Sequence, residues 1–172
     1  FNATKTGIIE VIRTIYYPAN SATIFYKYDI TNLSAQTMSG LRFFVGGDSR
    51  VAGDDAGIGY WDNTDERIGC TNTVGSSLVD LYMESTGIES PFYHYADFAY
   101  DASLPSDNFV LNEIISDLSN PTLGSNSVTS TKLDIGLCFE YRKASLSAGA
   151  TWTITVEETF DSKLISDIEV TA

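Results

Sequence analysis

The chain has 172 residues, with 23 acidic and 10 basic side chains and a formal net charge of −13. This charge repels phosphate backbones and anionic lipid surfaces, so it argues against a nucleic-acid partner, whereas it favours hard cations. No apolar run is long enough for membrane insertion. The length suits a single domain over residues 1–172, and the missing initiator Met predicts a mature or excised piece, such as one module of a larger surface protein.

Period-two alternation of apolar and polar residues predicts β-strands along most of the chain. The pattern is clearest over residues 22–31, 132–142 and 151–157. Less regular runs predict further strands, which makes about nine in all. In chain order these runs cover residues 7–17, 41–45, 67–72, 78–84, 92–100 and 164–171.

The faces of the three clearest strands identify a candidate core. Trp152 and Phe139 are expected among its buried members, whereas Cys138 falls on the other face of its strand. The inward positions are Ile24, Tyr26, Tyr28, Ile30, Leu133, Ile135, Leu137, Phe139, Tyr141, Trp152, Ile154 and Val156.

One segment has helical rather than strand periodicity. Apolar residues recur at helical spacing from Leu111 to Leu118, after the N-cap candidates Ser106 and Asp107, and Pro121 ends the pattern. The predicted fold class is therefore all-β: a two-sheet antiparallel β-sandwich of about nine strands with one short helix.

The cysteines bear on the compartment. Cys70 and Cys138 lie far apart and outside any CxxC context, which argues against a zinc or thioredoxin-like site. The cysteine count fits a disulfide or two buried free thiols. The polar residues are mainly Ser, Thr, Asn and Gly rather than Lys, which predicts an extracellular or cell-surface protein and favours the disulfide.

Four blocks carry a resemblance to a known class of module: YDITNLS at 28–34, GLRFFVGGD at 40–48, GDDAGIGYWD at 53–62 and ASLSAGATWTITVEE at 144–158. Together they resemble the β-sandwich, or supersandwich-like, modules of secreted and surface-anchored bacterial and archaeal proteins. The resemblance implies a surface location and a carbohydrate-binding or adhesive role.

The segment from Gly46 to Glu66 combines acidic residues with glycines. Carboxylates and inward-facing carbonyls are the ligands that Ca²⁺ prefers, although the spacing is not that of an EF-hand. The alternative is a solvated turn in which Asp and Gly serve turn geometry. The candidate calcium ligands are Asp48, Asp54, Asp55 and Asp62.

Aromatic residues form a second candidate site, because flat rings stack on sugar faces. The alternative is that they belong to the core, as expected of the inward tyrosines. The candidate ligand-binding residues are Tyr60, Trp61, Tyr93, His94 and Tyr95.

The sequence argues against catalysis. His94 is the only histidine, and no nucleophile motif accompanies it. A glycosidase needs only two carboxylates, for which Glu140, Glu157 and Glu158 are the candidates; Glu140 also fits a solvated charge or a cross-strand salt bridge.

These observations predict a non-catalytic recognition or adhesion module for a carbohydrate or another cell-surface ligand, stabilised by calcium. The first alternative is a structural subunit that self-assembles by β-strand addition, with residues 1–7 as the donor strand. The second is a small glycan-active enzyme.

Overall fold

The computed structural model describes residues 2–5, 8–51, 53, 56–62, 64–74, 77–91, 93–95, 132–134 and 136–160. Every regular element in these ranges is a β-strand. The described residues contain no helix that is long and apolar enough to cross a membrane. The strands are β1 (Asn2–Lys5), β2 (Ile9–Tyr16), β3 (Thr23–Asn32), β4 (Met38–Asp48), β5 (Ala56–Asp62), β6 (Arg67–Val74), β7 (Ser77–Ser85), β8 (Tyr93–Tyr95), β9 (Leu133–Asp134), β10 (Gly136–Leu146) and β11 (Thr151–Phe160).

The strands form two antiparallel sheets. The large sheet has eight strands in the order β1-β2-β3-β11-β7-β6-β5-β9, and the small sheet has three in the order β4-β10-β8. In the large sheet β11 lies between β3 and β7, so strands from distant parts of the chain meet there.

The pairing of β3 with β11 follows from matching alternation. Trp152 lies opposite Ile30 and Val156 opposite Tyr26, which places the apolar side chains of both strands on one face. The loops at the end of this pair are held by Asn32, whose buried amide donates to the carbonyl oxygens of Gln36 at 2.8 Å and Leu146 at 2.9 Å. Patterning therefore sets the register of β3 with β11, and the Asn32 amide ties the end of β3 to the end of β10.

The inner faces of the sheets pack against each other in a sandwich-like arrangement. Trp61 of the large sheet meets Phe139 of the small sheet edge-on, with ring centroids 6.2 Å apart. A second such contact joins Trp152 to Phe43 at 6.5 Å. Trp152 and Phe139 are 2% and 0% exposed, which confirms their predicted place in the core.

The predicted strands compare well with the observed ones, with instructive exceptions. The three clearest predictions correspond to β3, β10 and β11. The prediction missed β5, because the glycines of its AGIGYWD sequence resemble a loop. It also missed β1, whereas the strand predicted over 7–17 corresponds to β2. The predicted helix, the strand over 164–171 and most of the one over 92–100 lie outside the described residues.

The predicted disulfide between Cys70 and Cys138 is wrong, because both are free buried thiols. Cys70 shares the inner face of β6 with Ile68 and belongs to the core between the sheets. Cys138 alternates with the core residue Phe139, so its side chain lies on the other face of β10. Burial raises the pKa of both thiols, that of Cys138 to about 12.

Candidate functional site

A cleft opens between the two sheets at one end of the core. It encloses about 180 Å³, and both sheets contribute to its walls. The large sheet supplies the charged residues, the tyrosines and part of the apolar floor. The small sheet supplies two glycines, and the serine that follows β4 also lines the cleft. The lining residues are Arg13, Tyr26, Tyr28, Val45, Gly46, Gly47, Ser49, Leu81, Met83, Leu137 and Glu158.

A tyrosine–carboxylate pair lies on one wall of the cleft. The Tyr26 hydroxyl donates to Glu158 Oε2 at 2.8 Å. The contact arises because Tyr26 lies opposite Val156 in the β3–β11 register, which makes Glu158 its diagonal neighbour on the same face. Burial and the carboxylate raise the pKa of Tyr26 to about 12, so the hydroxyl stays protonated at neutral pH.

A second tyrosine lies beside an arginine on the same wall. Burial raises the pKa of Tyr28, while the charge of Arg13 and a hydrogen bond with it oppose that rise. Tyr28 also packs against Phe43 of the small sheet, with ring centroids 5.1 Å apart. This wall therefore presents two phenol groups, a carboxylate and a guanidinium.

The floor of the cleft is apolar, and the wall opposite the tyrosines is formed by the backbone of Gly46 and Gly47 on β4. Leu81, Met83 and Leu137 are each less than 7% exposed. At Gly46 a Cβ atom would lie 2.1 Å from the carbonyl oxygen of Leu137, so any side chain there would force the two strands apart. The cleft thus combines apolar contact with a few oriented polar groups, as small-molecule sites do, although its volume is below the roughly 300–1,000 Å³ that is typical of them.

The predicted aromatic pair Tyr60 and Trp61 does not form one surface. The two residues are consecutive on β5, so their side chains lie on opposite faces of the sheet. Trp61 is 6% exposed and packs in the core. Tyr60 lies on the outer face, where its hydroxyl donates to both carboxylate oxygens of Asp80, at 2.8 and 3.0 Å. Their use as a joint stacking platform is a prediction that this geometry does not favour.

The other predicted ligand-binding residues form β8. The backbones of Tyr93, His94 and Tyr95 pair with Glu140, Phe139 and Cys138 of β10. Their side chains lie outside the described part of the molecule, so their predicted role stays a prediction.

The predicted calcium ligands fall on different parts of the β4–β5 region. Asp48 ends β4 opposite Gly136, and its side chain, like all of Asp54 and Asp55, lies outside what the structure describes. Asp62 Oδ1 accepts a hydrogen bond from the Thr64 amide at 2.8 Å, as a turn-forming Asp does. Among the described residues no group of three or more His, Cys, Asp or Glu side chains is placed to hold a metal ion.

Glu140 has a different role from a solvated surface charge. Its side chain is buried, and its Oε1 accepts hydrogen bonds from Arg42 Nε and, at 2.8 Å, from Arg142 Nε. Burial alone would raise the pKa of Glu140, but these two arginines outweigh it and lower the pKa. The alternation of β10 indicated the cross-strand salt bridge but carried no signal of its burial.

The importance of Tyr26 and Glu158 together was missed from sequence. Alternation alone places Tyr26 in the core, and Glu158 is only one of three candidate carboxylates for a glycosidase. Their positions on adjacent strands depend on the register of β3 and β11, whose paired residues are 120 or more positions apart in the chain. A polar residue at an inward position, as Glu158 is next to Val156, is the one sequence signal that could have found the site.

Comparison with known proteins gives no assignment. A scan against protein-family models finds no match, and a search of curated proteins finds no significant relative. The resemblance of the four sequence blocks to surface modules stays a prediction.

Proposed function

We propose that this chain is an extracellular, non-catalytic recognition module that binds carbohydrate in the cleft between its sheets. The observation that carries the proposal is the Tyr26–Glu158 pair, held at 2.8 Å above an apolar floor. A sugar ring has apolar C–H faces and a rim of hydroxyl groups. The tyrosine rings of the cleft suit the C–H faces of such a ligand. The carboxylate, the guanidinium and the backbone groups suit hydrogen bonds with its hydroxyl groups.

The composition of the cleft favours binding over hydrolysis. Glycosidic cleavage requires two carboxyl groups that flank the scissile bond. Of the residues described as lining the cleft, Glu158 alone carries a carboxylate, and the Tyr26 hydroxyl already occupies one of its oxygens. We therefore assign Glu158 the role of accepting ligand hydroxyl groups.

The test is a glycan array followed by titration of the best ligand. Glu158→Gln and Tyr26→Phe should each weaken binding about tenfold, because each removes one oriented polar group, worth roughly 1.4 kcal/mol at that ratio. Tyr16→Phe is the matched control, since Tyr16 is 62% exposed on β2 and does not line the cleft. Equal affinities in all three variants, or an array without a bound glycan, would contradict the proposal.

We extend the proposal to calcium at the β4–β5 connection. Ser49, Gly46 and Gly47 line the cleft, so an ion held by Asp48, Asp54 and Asp55 would stabilise one of its walls. A calcium-bound native state should melt at a higher temperature than the same protein in chelator, and Asp54→Asn with Asp55→Asn should abolish the difference. An identical Tm in calcium and in chelator would contradict the calcium site and favour the interpretation of this segment as a solvated turn.

A structural role is the second candidate, and the position of β1 favours it. This four-residue strand lies at the edge of the large sheet and pairs with β2 from Asn2↔Ile12 to Lys5↔Ile9. A strand at this position can pair with β2 of a second copy through the same backbone hydrogen bonds. Electron microscopy should then show filaments that disappear when residues 1–7 are deleted, with an unchanged fold by circular dichroism. A full-length protein that stays monomeric at high concentration would exclude it.

A further inference from the structure

The arginine that lines the cleft differs from three others in its partners. Arg42, Arg67 and Arg142 each form an ion pair with a glutamate. Within the described part of the chain, Arg13 forms no ion pair, and its hydrogen bond goes to the uncharged hydroxyl of Tyr28. In a chain where acidic side chains outnumber basic ones by 23 to 10, the charge of Arg13 is thus left for a ligand to neutralise.

The register of the large sheet keeps Arg13 apart from Glu158, the carboxylate of the cleft. Arg13 of β2 lies opposite Tyr28 of β3. Glu158 of β11 lies opposite Ile24 of the same strand. The two charged residues are therefore two strands apart and four positions apart along β3, or about 10 Å across and about 13 Å along the strands. Both line the cleft, so its wall carries opposite charges at two ends instead of an internal ion pair.

The two tyrosines lie between these charges and orient them. Tyr26 donates to Glu158 at 2.8 Å, while Tyr28 is the hydrogen-bond partner of Arg13. Burial raises the pKa of both hydroxyls most; beyond it, Glu158 raises both pKa values and Arg13 lowers them, so both charges act on the same pair of phenols. Because Arg13 is an exposed residue, its guanidinium is accessible to a ligand that enters from solvent.

We propose that the ligand of the cleft is an acidic sugar, whose carboxylate binds Arg13 and whose hydroxyl groups bind Glu158. This inference rests on the proposed function and adds the class of sugar and a residue that determines specificity. The planar guanidinium matches the two oxygens of a carboxylate, and the negative charge of Glu158 disfavours the reverse orientation. The net charge of −13 does not prevent binding, because at physiological salt charges farther than about 8 Å are largely screened.

The experiment titrates the full chain with glucuronate, galacturonate, the uncharged amides of both acids and glucose, by calorimetry or NMR. The better-bound acid should bind about three- to tenfold more tightly than its amide, because its carboxylate meets an exposed guanidinium. Added sodium chloride should reduce this preference. Equal binding of acids and amides would overturn the inference and leave the proposed function standing. Binding of none of these sugars, together with an empty glycan array, would overturn both.

Variants separate the role of Arg13 from the general charge of the protein. Arg13→Gln should abolish the difference in affinity between acid and amide, and Arg13→Lys should retain part of it. Lys27→Gln is the matched control: it removes an equal charge from β3, where Lys27 pairs with Asp29 on the face away from the cleft, and should keep the preference. A preference that survives in Arg13→Gln, or one that Lys27→Gln reduces as much, would overturn the inference.

Discussion

The two faces of β10 reach the same burial by different physical means. Its inner face contributes Leu137, Phe139 and Tyr141 to the apolar core, whereas Glu140 is buried on the outer face at 1% exposure. Burial on the inner face stabilises through removal of apolar surface from water. On the outer face burial is tolerated because Glu140 has charged partners on two strands. The exposed fraction of a side chain therefore does not by itself tell which substitutions its position tolerates.

The largest effect is expected on the inner face. Phe139→Ala should lower the free energy of unfolding by about 3–5 kcal/mol, because it removes a fully buried ring that packs against Trp61 and Tyr141. Denaturant unfolding measures this. Leu78→Ala, at a side chain that is 53% exposed, should change the stability by about 0.5 kcal/mol or less. Similar losses in both variants would contradict the assignment of the core.

A smaller effect is expected on the outer face. Glu140→Gln keeps the shape of the side chain but removes the charge between Arg42 and Arg142. We expect a loss of about 1–3 kcal/mol, moderated because solvent reaches both arginines. Adding Arg42→Met should recover part of it by removing the repulsion. A Glu140→Gln protein as stable as wild type would show that the ion pairs contribute nothing.

The pH dependence of stability distinguishes Glu140 on β10 from Glu157 on β11. The folded-state pKa of Glu140 is lowered, so its stabilisation is present above its ordinary pKa and is lost as the pH falls through the folded value. Glu157 has the opposite sign: burial, with repulsion from Glu84, raises its pKa, so its ionisation destabilises the fold. Glu140→Gln should therefore reduce the loss of stability on acidification below about pH 4.3, and Glu157→Gln should increase stability at neutral pH. The measurement is the free energy of unfolding of wild type and both variants between about pH 3 and 7. The same pH dependence in all three proteins would contradict these expectations.

An effect of similar size is expected where a glycine packs against a cysteine, Cys70 on β6 or Cys138 on β10. A Cβ atom at Gly57 would lie 2.2 Å from Cys70 Sγ, and we expect Gly57→Ala to cost about 1–3 kcal/mol. Because the nearest atom is a side-chain atom, Cys70→Ala should recover much of this cost. At Gly46 the nearest atom is the Leu137 carbonyl oxygen, so Cys138→Ala should not rescue Gly46→Ala. Gly47→Ala, with open space around the site, is the neutral control for stability.

The sequence predicted best where one physical rule dominates. Alternation alone located β3, β10 and β11, and it placed Trp152 and Phe139 in the core. It also placed Cys138 on the face away from the core, which already argued against the disulfide. The composition argument overrode that signal, although composition carries no information about which face a side chain occupies.

The candidate site was less predictable because it depends on long-range register. Tyr60 and Trp61 were grouped as neighbours in a loop, but a strand turns consecutive side chains to opposite faces. The contact of Tyr26 with Glu158 is set by pairing across 132 residues, which no local pattern specifies. Local rules therefore identified the strands, whereas the cleft depends on how the strands are assembled.

The place of β11 in the large sheet has a consequence for the order of folding. It separates β1-β2-β3 from β7-β6-β5-β9, two groups whose internal pairings are mostly between strands close in sequence. Joining the groups requires β11 to close a loop of more than 100 residues onto β3, as in the Thr23–Thr159 contact at a separation of 136. During synthesis both groups therefore emerge before the strand that joins them, and the exposed edges of β3 and β7 must wait for the C-terminal part of the chain.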